Sequence, residues 1–238
     1  MSYIEHRRHS VSKIELPLKL LNIDISDPEN IAAVCTNPDT KIVTRFPMNK
    51  TLSCEVVENY EGFEKCIKTT SNSCSIRSID NFSIIHEEAK IFNRNHTAVL
   101  FLSKRNPVIS SESSILWLGI KSIGSKWTNS IFRVFGTNNM TSAVGYTLSS
   151  NEICMYSYSQ DLTLSRVGYL EGSNLVSVPD FSYVNIKPSS LSLGGFLNIF
   201  YFNTDNKVDK NTFFAGFAIY DGILSKEQLR WIHKNKTL

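Results

Sequence analysis

No apolar run in this 238-residue chain approaches the roughly 18 residues that a membrane-spanning helix needs. Its start, Met1-Ser2-Tyr3-Ile4-Glu5, lacks the apolar stretch of a secretory leader, so a chain made and folded in a reducing cytosol is expected. The five cysteines, Cys35, Cys54, Cys66, Cys74 and Cys154, are odd in number, contain no CxxC pair and have no close histidine partner. Neither a zinc site nor a disulfide framework is expected from them. N-x-S/T triplets begin at Asn49, Asn81, Asn95, Asn139 and Asn235, and are read as incidental in a chain rich in Asn and Ser.

Catalytic signatures are also missing. There is no G-x-S-x-G elbow, no H-E-x-x-H pair, no P-loop and no G-x-G-x-x-G turn. Glu87 and Glu88 are adjacent and would point to opposite sides of a strand, whereas glycoside hydrolysis needs two carboxylates converging on one bond. The oxygen-rich loops Asp205 to Asp209 and Asp221-Gly222 fall short of a calcium ligand set. His86, His96 and His233 are far apart in sequence and are read as surface or internally satisfied side chains. No enzyme activity, cofactor or metal is expected. Lys and Arg are scattered, the formal charge is only +3, and the one dense basic cluster is His6-Arg7-Arg8-His9. That cluster reads as a solvated terminus, or alternatively as an arm that touches another subunit or a polyanion, and the scatter elsewhere means that neither nucleic acid nor membrane is expected as a partner.

What the chain does contain is β-forming. Apolar residues make up 42%, and 14 Phe and 9 Tyr favour strands over helices. From Lys41 onward, short β-prone runs alternate with turns such as Glu171-Gly172-Ser173-Asn174 and Thr204-Asp205-Asn206-Lys207. Runs at 41–46, 51–57, 63–69, 74–79, 97–102, 115–120, 131–135, 143–148, 153–158, 162–169, 175–178, 196–202 and 213–220 predict about a dozen strands. In 153–158, Ile153, Met155 and Ser157 alternate with Cys154, Tyr156 and Tyr158, the period-2 pattern of a half-buried antiparallel strand. Helical periodicity between the runs is almost absent, which favours a sandwich over βαβ units. Residues 1–40 read differently: an apolar stretch from Ile14 to Ile25 is interrupted by Pro17. It is either an extended docking arm or the domain's own first strand. The expected division is thus a 1–40 N-terminal arm and a 41–238 β domain.

The last 26 residues carry the most specific pattern. A strand through Phe217-Ala218-Ile219-Tyr220 turns at Asp221-Gly222 and enters a helix. Ser225 as N-cap and Gln228 three residues later form a capping box, with Leu224 and Leu229 as a hydrophobic staple. This strand, turn and Leu-Ser-x-Glu helix (Leu224, Ser225, Glu227) resembles the closing segment of concanavalin A-like lectin/glucanase domains. Gly62 to Ile79 is similar to their opening strand pair, and Thr97 to Leu102 to the next core strand. The resemblance covers residues 41–238 and implies an all-β, antiparallel two-sheet jelly-roll sandwich with a short C-terminal helix and an extended N-terminal arm.

Such domains bind sugars by stacking rings on C–H faces and pairing hydroxyls with amides and carboxylates. The residues that fit are Trp127 and Asn129, with Tyr156, Tyr158, Gln160 and Asp161 on another strand and loop. Trp117 reads as core and Trp231 as packing the terminal helix, and core packing also competes for the two tyrosines. Similar domains occur in phage tail and capsid-decorating proteins. The resemblance therefore implies a non-enzymatic virion protein, made in the host cytoplasm, that contacts neighbouring virion proteins through its N-terminal arm or a surface glycan, and that can form homo-oligomers. A free carbohydrate-binding module is the alternative, and a polysaccharide-degrading enzyme is less expected.

Overall fold

The computed structural model describes residues 14–71, 74–91, 94–103, 114–118, 130–134, 142–144, 153–161, 166–171, 182–185, 197–201 and 211–238. Among these residues fifteen strands are formed: β1 (Lys19–Asp24), β2 (Ala32–Thr36), β3 (Val43–Lys50), β4 (Cys54–Tyr60), β5 (Phe63–Thr69), β6 (Ile76–Ser78), β7 (His96–Ser103) and β8 (Ser114–Leu118). They continue as β9 (Ser130–Val134), β10 (Ser142–Val144), β11 (Ile153–Asp161), β12 (Arg166–Glu171), β13 (Ser182–Asn185), β14 (Leu197–Tyr201) and β15 (Phe213–Asp221). Two helices accompany them, α1 (Phe82–Ala89) and α2 (Lys226–Asn235). The expected strand at 175–178 lies outside the described residues.

The ladder divides into two sheets that share β3. One runs β3-β2-β1-β15-β7-β11-β12-β13, and the β4–β5 hairpin joins it through β15; the other runs β3-β6-β14-β8-β9-β10. Pro47 marks where β3 changes partner. Ala32 pairs with Pro47 in the first sheet, and Met48 already pairs with Ser78 in the second. Proline has no N–H to give to a ladder, so a strand tolerates it best where pairing is handed over. All pairs are antiparallel except β8 with β9.

Why β7 reads as one unbroken apolar run becomes clear from its two faces. All eight of its residues are buried. Ala98, Leu100 and Leu102 face the core between the sheets, with Phe217 and Ile219 of β15 and Ile76, Leu197 and Ile199 of the second sheet. Val99 and Phe101 face the other way, with Ala218 and Tyr220, and pack under Leu229 and Ile232 of α2. A strand buried on both faces has no polar side to alternate with.

Helix α2 forms as its cap predicts. Gln228 N–H donates to Ser225 Oγ at 3.2 Å and Ser225 N–H to Gln228 Oε1 at 2.8 Å, with Leu224 and Leu229 buried. Trp231 is partly buried against the same cluster. The Gln228 amide also reaches Glu15 O at 2.8 Å, tying the helix to the segment that leads into β1. That segment's apolar stretch is paired: β1 lies between β2 and β15, with Leu21 opposite Cys35 and Ile219.

Two findings depart from the sequence expectations. Helix α1 was not foreseen; Ile85 and Ala89, one turn apart, bury its inner side against β2, and Lys90 ends it in the left-handed conformation. Eight residues give only two turns, too few for a 3.6-residue period to stand out. Cys54 and Cys74 form a disulfide, their Cα atoms 5.4 Å apart, against the expectation of none. The 51–54 turn is what brings them together: Thr51 N–H donates to Ser75 O at 3.0 Å, and Ser75 N–H to Thr51 Oγ1 at 3.0 Å. Cys35 and Cys66 are buried free thiols.

Candidate functional site

Four of the six residues singled out for ligand contact lie on one strand. Tyr156, Tyr158, Gln160 and Asp161 belong to β11, whose alternate residues Ile153, Met155, Ser157 and Ser159 are buried, with Ile153 and Met155 on the α2 side beside Val99 and Phe101. Backbone register sets Tyr156 opposite Leu100 and Glu171, Tyr158 opposite Ala98 and Tyr169, and Gln160 opposite His96 and Val167. Asp161 faces Arg166 at the end of the β11–β12 ladder. Trp127 and Asn129 lie outside the described residues, as does the Asp205 to Asp209 loop.

The structure adds a charged cluster at the end of the first sheet where β7 begins and β15 ends. His96 is fully buried, and its Nδ1 lies 3.1 Å from Arg94 O. Desolvation pushes its pKa down to about 4, with the nearby His86 charge acting the same way and the Arg94 and Ile91 carbonyls and Asp221 opposing. Arg94 bonds Asp221 through Nη1 at 2.8 Å and approaches Asp39 through Nη2 at 3.5 Å, and Lys90 sits 3.6 Å from the same Asp39. His86 and His96 are thus neighbours in space though ten residues apart, and both are buried. His86 is itself held below the ordinary histidine range by burial. The arrangement sets two cations, Lys90 and Arg94, against Asp39 and Asp221 beside two buried imidazoles.

A second feature is a cleft of about 250 Å³ between β1, β5 and β15, lined among others by Asn22, Asp24, Phe63, Lys65, Gly216 and Leu238. Three of its charged side chains have partners: Asp24 accepts from Arg45 at 2.8 Å, the Lys65 ammonium donates to Ser26 O, and Lys236 stands 5.3 Å over the Phe63 ring. Asp221-Gly222, considered for calcium, is instead spent on Arg94 and on a Gly222 N–H bond to Asn95 O at 2.8 Å. Among the described residues, no group of three or more His, Cys, Asp or Glu side chains stands together as a metal site would. Also among them, no helix is long and apolar enough to cross a membrane.

No family model matches the chain, and no curated protein matches it in sequence. Several solved structures match in fold. A Trypanosoma rangeli sialidase in complex with 2,3-difluorosialic acid aligns with a TM-score of 0.59 at 10% identity, over 98% of this chain and 35% of the sialidase. The receptor-binding domain of botulinum neurotoxin mosaic serotype C/D aligns with a TM-score of 0.53 at 13% identity, over 92% of this chain and 51% of the toxin domain. This chain therefore spans about half the length of the toxin domain and about a third of the sialidase. At such identities the likeness is one of architecture, and what it establishes is that the chain folds as an all-β, two-sheet sandwich.

Proposed function

We propose that this chain is a non-catalytic binding and adhesion module of concanavalin A-like type, whose ligand is a surface glycan held by Trp127, Asn129, Tyr156, Tyr158, Gln160 and Asp161. The observation that carries the reading is the position of β11. It pairs directly with the fully buried strand β7, so its backbone is set by the core, and its sequence carries Tyr156, Tyr158 and Gln160 at alternate positions, followed by Asp161, beside β12. A rigid strand is the right support for stacking rings, because sugar hydroxyls are discriminated only when the rings are held in place. The fold supports the same reading, since the matching proteins include a sialidase in complex with a sialic acid derivative and a toxin's receptor-binding domain.

The test is a glycan array probed with the full chain and with Trp127→Ala and Tyr158→Ala. Binding of one glycan class by the parent chain is expected, together with a loss of roughly tenfold in affinity for each variant, the scale of one lost stacking contact, and for Trp127→Ala an unchanged melting temperature. An array without hits, or variants that bind like the parent, refutes the assignment. Release of sugar from a polysaccharide and sialoside panel would refute its non-catalytic part. The narrower reading, a subunit of an assembled phage particle, requires the chain to co-purify with particles, and particles that lack it exclude that reading.

A further inference from the structure

We infer that Asn49 carries an N-linked oligosaccharide and that the chain matures in an oxidising compartment, a conclusion that goes beyond the binding reading and does not rest on it. Five N-x-S/T triplets are indistinguishable in the sequence, but the fold separates them. Asn49 is exposed, one residue past the buried Met48, on the part of β3 that pairs with β6. A glycan on it would stand in solvent without disturbing the core. Asn81 and Asn95 are half-buried and already partnered. Asn235 is exposed, but its Nδ2 donates to Trp231 O at 2.7 Å on α2. Asn139 lies outside the described residues.

The second observation is independent of the motif. Cys54–Cys74 is a disulfide, and disulfides persist in secreted and cell-surface proteins while the cytosol keeps thiols reduced. The free cysteines suit the same setting. Burial pushes the Cys35 and Cys66 thiols up to about 12, so neither supplies the thiolate that would attack the bridge. Oligosaccharide transfer onto N-x-S/T belongs to the oxidising entry compartment of the secretory route. In the transfer, Asn49 Nδ2 bonds to C1 of an oligosaccharide carried on a polyprenyl diphosphate. The C1–O bond breaks, polyprenyl diphosphate leaves with the electron pair, and a base of the transferase takes one Nδ2 proton. The Thr51 hydroxyl that completes the triplet accepts Ser75 N–H in the folded chain, so transfer precedes the docking of the 51–54 turn on Ser75.

The experiment uses the protein isolated from its own source. Peptide-N-glycosidase treatment in heavy-oxygen water is expected to lower its mass by one glycan or more and to convert Asn49 to labelled Asp, leaving Asn81 and Asn95 unlabelled. A non-reduced digest is expected to contain the 54–74 peptides linked. An Asn49 peptide found only in unmodified form, or Cys54 and Cys74 both open to alkylation in the native protein, overturns the inference. Asn49→Gln expressed in the same cells should abolish the label at position 49 while binding the array as the parent does, so failure here and failure of the binding reading are told apart. Confirmation would also exclude a phage particle assembled in a bacterial cytosol.

Discussion

Stability should fall steeply in mild acid, and His96 is the reason. Its ring is fully buried and stays neutral in the folded chain down to about pH 4, because desolvation outweighs the carbonyls of Arg94 and Ile91 and the Asp221 carboxylate. In the unfolded chain the ring takes up a proton below its ordinary value of 6.5. Between those limits the unfolded state binds more protons, so the stabilisation is whole above pH 6.5 and is lost as pH falls toward 4. The gap corresponds to about 3 kcal/mol, a large part of the 5–15 kcal/mol that holds a typical domain. His86 and His233, both lowered chiefly by burial, add the same sign over the same range, while Asp24 and Glu227, held below the carboxylate range, act only in stronger acid. Urea unfolding at steps from pH 7.5 to pH 4.5 on the parent and on His96→Gln isolates the single group. The variant should lose most of the difference in slope, whatever packing cost it carries at neutral pH. Equal slopes, or a His96 ring resonance that titrates near pH 6.5 in the native protein, would refute the reasoning.

Two further substitutions probe the β15 strand. Gly216 sits at a bulge with φ +157°, and a Cβ there would meet Leu238 Cδ1 at 2.6 Å. Gly216→Ala should cost about 1–3 kcal/mol in urea unfolding, and combining it with Leu238→Ala should recover only the steric part; full recovery would show that the backbone conformation carries no penalty. Among the described residues the buried Tyr220 hydroxyl has no hydrogen-bond partner, so Tyr220→Phe should be neutral or stabilise by up to about 1 kcal/mol, and a loss above that, measured by calorimetry, would mean the hydroxyl is in fact satisfied.

How much of this was legible in the sequence depended on how local the cause was. The strand at 63–69, the alternation of 153–158 and the Ser225–Gln228 box are each decided within a few residues, and they stand where the pattern put them. The Cys54–Cys74 bridge is decided by a turn folding back on Ser75, which no cysteine spacing encodes. Likewise, the pairing of Leu21 with Ile219 spans nearly the whole chain, and the apolar stretch around Pro17 offered no sign of its partner. For the candidate site, the sequence located Tyr156 and Tyr158 on a strand, whereas Gln160 and Asp161, expected in the loop beyond it, prolong β11. The neighbourhood of His86 with His96 remained hidden because α1, which presents His86, is too short to announce itself.

The two-sided burial of β7 and β15 also constrains where recognition can take place. In a two-layer sandwich the outer face of each sheet is free for a ligand, but here α2 occupies that face over the central strands: Leu229 and Ile232 lie with Val99, Phe101, Ala218 and Tyr220. Removing any of these to admit a ligand would open a cavity costing on the order of 2–5 kcal/mol for each large side chain. Beyond β11 the same sheet continues into β12 and β13, where pairing is between short strands and ends at β13. The α2-covered face of β7 and β15 is therefore closed to a ligand, and β11 continues that sheet with Tyr156 and Tyr158 in register with Leu100 and Ala98, on the opposite face of β7 from α2.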